Sequence, residues 1–131
     1  MDIAVIEDCT HASHEERITF GEVVGRLIAA GAERYHVDLV RGETTCFMPD
    51  GRSHRVSYRA IDARPGDAFS ADGVLVAIQA IQAGRTKYLT FCRQIMDAGC
   101  VGYLVSIHGR RVVYYGRSGE TYVEPFPPVA G

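Results

Sequence analysis

Shifted by 68 positions, the second half of this 131-residue chain realigns with the first without a gap. Phe20, Val23, Leu27, Ile28, Gly31, Tyr35, Val37 and Leu39 fall on Tyr88, Phe91, Ile95, Met96, Gly99, Tyr103, Val105 and Ile107. Phe47 and Gly51 fall on Tyr115 and Gly119. Identity along the stretch is low; what recurs is the placement of apolar residues and glycine stops. A period of this kind marks one supersecondary unit used more than once, and it constrains the fold more than any single motif. It predicts a first repeat at about 2–58, a connector at 59–70 and a second repeat at about 71–126, within one domain, 1–131.

Within each repeat the periodicities read helix, helix, three strands. Residues 2 to about 14 suit a helix with Ile3, Ile6 and Cys9 on one side. Thr19-Phe20-Gly21-Glu22 is a capping box, an N-cap hydroxyl with a carboxylate three residues on. The helix behind it carries Val23, Val24, Leu27 and Ile28 and stops at Gly31, the usual left-handed terminator. Strands follow at 34–40, 43–48 and about 52–58, with Pro49-Asp50-Gly51 as a turn. In the second half the helices are expected at about 71–83 and after a Thr86 cap, ending at Gly99. The strands follow at about 101–108, 111–116 and 120–124, and the Pro125-Phe126-Pro127-Pro128 segment ends the last. A three-stranded sheet needs a covered apolar face. The expected class is therefore α+β, with four helices over a six-stranded antiparallel sheet or two apposed sheets.

Composition narrows the function classes. A net charge of -2 gives no general pull toward nucleic acid or anionic membrane. No apolar run approaches the ~20 residues of a membrane span. The N-terminus lacks the basic start and apolar core of a signal peptide. Cys9, Cys46, Cys92 and Cys100 include no Cys-x-x-Cys pair. The expected compartment is the cytoplasm, with reduced thiols.

Positions where the halves diverge are the candidates for a site. Arg34, His36, Asp38 and Thr45 stand where the second half has Gly102, Leu104, Ser106 and Val113. Arg34, His36 and Asp38 would share one strand face and suit an anion or polar substrate; a simply solvated sheet face is the simpler explanation. If Pro49-Asp50-Gly51 closes a three-residue loop, Cys46 faces His54, a thiol beside an imidazole. Against a catalytic pair, Cys46 shares its strand face with residues assigned to the core. Asp8, His11, His14 and Glu15 recur at helical spacing but match no zinc signature, so no metal or other cofactor is expected. Arg52, Arg55, Arg59 and Arg64 with Tyr58 available for stacking could meet nucleic acid, but the acidic balance counts against it. In the second half, Leu104, Val113, Tyr115 and Val123 make the opposite strand face apolar too, so either the helices and the other half cover both faces or a partner or second copy does.

Phe20 to Leu39, Glu43 to Gly51, Tyr88 to Tyr103 and Val113 to Glu120 resemble a small bacterial family labelled phage-envelope-protein-like. Its most specific block is Phe91-Cys92-Arg93 followed by Ala98-Gly99. The resemblance covers nearly the whole chain and implies no activity, cofactor or catalytic residue. The leading expectation is a soluble, non-enzymatic, bacterial or prophage-type interaction module, as a homo-oligomer or with another protein. The alternative is a small-molecule-binding protein or minor enzyme with its site on the first-half sheet.

Overall fold

In the computed structural model, which describes residues 1–127, the elements follow the predicted order. They are α1 (Ile3–His14), α2 (Phe20–Ala29), β1 (Arg34–Asp38), β2 (Glu43–Phe47) and β3 (Ser53–Ser57). The same series returns as α3 (Ala71–Gln82), α4 (Tyr88–Asp97), β4 (Cys100–Ser106), β5 (Arg111–Gly116) and β6 (Thr121–Pro125). Pro128 lies outside the described residues. The class is α+β, and of the two expected arrangements one sheet of six antiparallel strands forms, in the order β3-β2-β1-β4-β5-β6.

The halves superpose element by element in sequence. Both α1 and α2 begin and end 68 residues before α3 and α4. The backbone carries the same signature at finer grain. Eight described residues have positive φ, and they form four pairs 68 apart: Glu16 with Gly84, Gly31 with Gly99, Gly42 with Arg110, and Gly51 with Gly119. Two of the eight are not glycine, yet each holds the left-handed turn that its glycine equivalent adopts freely. The pairing of β1 with β4 maps onto itself under the same shift. Arg34 faces Ser106, Asp38 faces Gly102, and His36 faces Leu104, its own equivalent. The pairing is therefore symmetric about the His36–Leu104 pair, as a twofold axis through that pair would make it.

Local signals fix the starts of three of the four helices. Asp2 caps α1 by accepting the Val5 N–H, and Ser70 caps α3 through Gly73 in the same way. The Thr19–Glu22 capping box forms in full. The Thr86 cap does not: the N-cap of α4 is Lys87, with no side-chain hydrogen bond. Lys87 is the equivalent of Thr19, so the second half keeps the helix start without its cap. Thr86 sits one residue earlier, and its hydroxyl is buried without a partner among the described residues.

The helices cover one sheet face, where Tyr35, Val37, Cys46, Tyr103, Val105, Val112 and Tyr114 are buried against Ile6, Leu27, Val74, Phe91 and Ile95. Phe20 and Ile28, read from the sequence as part of the apolar stripe of α2, are about half exposed, at 45% and 53%. Phe20 packs edge-on against Phe126. Among the described residues no helix or strand covers the other sheet face. Among the described residues no helix is long and apolar enough to cross a membrane.

Candidate functional site

The uncovered face collects the first set of sequence candidates. Arg34, His36 and Asp38 alternate with buried Tyr35 and Val37, and all three are partly buried. Each is engaged locally. Arg34 pairs with Glu33 and lies 4.3 Å over the Phe47 ring. His36 Nε2 is hydrogen-bonded at 2.7 Å to the Tyr115 hydroxyl, which reaches it across Gly102. Asp38 accepts the N–H groups of Val40 and Arg41 and ends the strand, two residues before the expected limit at 40. Across the row, Thr45 faces His36 on one side, and Leu104, Val113 and Val123 continue it on the other. The face is polar in one half and apolar in the other.

The second pair does meet in register: Cys46 lies opposite His54, and the Met48 N–H donates to Arg52 across the predicted turn. Cys46 is 1% exposed, and burial pushes its thiol up to about 11. His54 Nε2 is hydrogen-bonded to Glu7 of α1 at 3.0 Å. The register therefore sets a buried thiol with a raised pKa across from a histidine whose imidazole is engaged by Glu7.

The remaining candidates disperse. Asp8 pairs with Arg26 at 2.8 Å and Glu15 with Arg17 at 2.7 Å. Among the described residues no group of three His, Cys, Asp or Glu side chains is placed to hold a metal ion. Arg52 pairs with Asp50, and the Tyr58 ring is taken by His14, with centroids 3.6 Å apart, so it is not free to stack on a base.

What the sequence did not disclose is a cavity of about 600 Å3 between the helices and the sheet. Its wall is mostly apolar and is built from both halves: Phe20 and Tyr88, Tyr35 and Tyr103, Val23 and Phe91 are equivalents that all line it. The two halves contribute different chemistry. His14, Thr44 and Cys46 are the first-half contributions, and their second-half equivalents Gln82, Val112 and Tyr114 line the cavity as well. Burial lowers the pKa of His14, while its Nδ1 bond to the Thr10 carbonyl offsets part of that effect. Burial raises the Tyr35 hydroxyl, which has no hydrogen-bond partner lowering it. The Tyr88 and Tyr103 hydroxyls bond each other at 2.6 Å.

Glu124 is the residue the sequence reading missed. It faces Val112 across β5–β6 and so points to the helix side, where its first-half equivalent is buried Val56. Its carboxylate accepts from the Tyr114 hydroxyl and from Gln82 Nε2, both at 2.8 Å. Burial raises its pKa, and those two hydrogen bonds lower it less. The available signal was a charge on the inward alternation of a strand, in step with Tyr122.

Residues 63–125 match a family described as protein of unknown function (DUF1398). The chain is also 32% identical over 62 residues to an uncharacterized protein of Mycobacterium tuberculosis and to one of Mycobacterium bovis. That similarity takes in 47% of this chain and 38% of each relative, so the chain spans well under half the length of the relatives it matches. The family match falls on the connector and the second half.

Proposed function

We propose that this is a small-molecule-binding protein whose ligand occupies the cavity between its halves. The observation that carries this reading is the cavity itself. At about 600 Å3 it lies within the range of ligand sites. A mostly apolar wall with a few fixed hydroxyls is the usual composition of such a site. Burial pushes the Cys46 thiol at the wall up to about 11, which favours binding over thiol catalysis at this site. Four buried cysteines, each unpaired, fit a reducing compartment, and we place the protein in the cytoplasm. An apolar dye tests the site. Nile red fluorescence should rise on adding the protein, and Ile81→Trp, which fills the cavity from its half-buried rim, should weaken binding about tenfold. Equal binding by the two proteins would remove the cavity as the ligand site.

A second reading is favoured by one observation. On the sheet face that no described helix or strand covers, Leu104 and Val113 are half-buried and Val123 is 44% exposed, forming an apolar strip beside the polar row of β1. Such a strip suits a protein partner or a second copy. Native mass spectrometry should then find a dimer that Val123→Arg dissociates. A monomer at high concentration would leave only a foreign partner for that face.

A further inference from the structure

Given the ligand-binding role proposed above, we infer that the cavity selects an apolar cation, a protonated or quaternary amine, held by Glu124 and the aromatic rings beside it. Glu124 lines the cavity and is only partly exposed. Its two hydrogen-bond donors, Tyr114 and Gln82, are both neutral. No Arg, Lys or His lies within ion-pair reach of it among the described residues. A carboxylate withdrawn from water without a countercharge is costly, and a cation entering the cavity supplies that charge. Each carboxylate oxygen retains acceptor capacity after its one bond to the protein.

The rings around it suit the same ligand. Tyr114 donates to Glu124 and also stacks at a tilt on Tyr103, with centroids 5.5 Å apart, and edge-on with Phe91 at 6.3 Å. Phe91 in turn lies 6.5 Å from Tyr88. These four rings line the cavity and form a continuous aromatic wall next to the carboxylate. A desolvated cation is attracted to ring faces, and apolar substituents on it are buried at the same time. The charges on the wall lean the same way: Glu16, Glu22 and Glu124 oppose Arg17 and Lys87, and Arg17 is already paired with Glu15 at 2.7 Å. The device belongs to one half only, since the equivalents of Glu124 and Tyr114 are Val56 and Cys46.

Two ions of nearly the same shape and opposite charge test it. Tetraphenylphosphonium should displace Nile red from the protein at about one-tenth of the concentration of tetraphenylborate. Glu124→Gln keeps the shape and the Tyr114 bond; it should bring the two ions to parity while Nile red binds as before. Equal displacement by the two ions in the unmodified protein, or preference for the borate, overturns the cation assignment and leaves a ligand cavity standing. A preference that survives in Glu124→Gln overturns the role of that carboxylate. Failure of Nile red to bind at all overturns both the cavity reading and the inference built on it.

Discussion

Helix α2 of the first half is capped where its equivalent α4 is not, and the uncovered sheet face is polar in the first half and apolar in the second. Thr19 closes a full capping box and Lys87 closes nothing. His36 on the uncovered face becomes Leu104, and Val56 on the covered face becomes Glu124. The left-handed turns do not differ at all: every one is kept at its place in both halves. Backbone geometry has thus been held constant while side chains were free to change. The repeat is best explained by duplication of a helix-helix-three-strand unit, which we propose as the origin of the chain. The residues that differ between equivalent positions are then the ones that carry specific work.

That comparison can be broken most severely at its shared turns. Gly31 and Gly99 both have left-handed φ, but a Cβ at Gly31 meets open space, whereas one at Gly99 runs into the backbone carbonyl of Ala68. Gly31→Ala should cost about 1 kcal/mol, the penalty of the conformation alone. Gly99→Ala adds a backbone collision and should cost at least twice as much, to the point of losing the folded state. Urea unfolding of the two variants decides it; equal losses would mean the connector yields freely around Gly99.

A smaller effect separates the helix starts. Thr19→Ala should cost about 1 kcal/mol by removing the cap of α2. Lys87→Thr with Thr90→Glu rebuilds the missing box in the second half and should stabilise by about 0.5–1 kcal/mol. A loss of stability in that double variant, read by thermal melting, would show that Lys87 holds something the cap cannot replace.

The smallest expected effect concerns His14, whose equivalent is Gln82. Burial puts its folded pKa below the ordinary value of 6.5. The unfolded chain therefore takes up the proton first, and the stability His14 permits above that pH is lost as the pH falls through the folded value. His14→Gln should flatten the fall in melting temperature between pH 7.5 and pH 5. A fall as steep as the parent's would place the acid sensitivity elsewhere.

The element order and turns were legible because their signals are local. Glycine marks six of the eight left-handed positions, and alternation marks the strands. The register that sets Cys46 opposite His54 followed from the length of one loop. Strand order was not legible, because the β1–β4 pairing joins residues far apart in sequence and either one sheet or two would bury the same apolar faces. The start of α4 was misplaced at Thr86 because a good capping residue outranked the shift of the repeat, which pointed to Lys87. The cavity was illegible for a different reason. Periodicity tells which residues face inward, not whether the inward faces fill the space between them. Glu124 went unread because a lone carboxylate near a proline-rich end resembles a strand terminus.

The symmetry of the pairing about His36 and Leu104 has a last consequence. Two identical units joined about such an axis would enclose a chamber with identical ends, and a guest could lie in it either way round. Joined in one polypeptide, the units can differ, and here the cavity is lined by Glu124 and Tyr114, whose first-half equivalents are Val56 and Cys46. The chamber has acquired a head and a tail. An unsymmetrical guest then has one preferred orientation, set by a pair of substitutions that no symmetric assembly of separate halves could have made on one side alone.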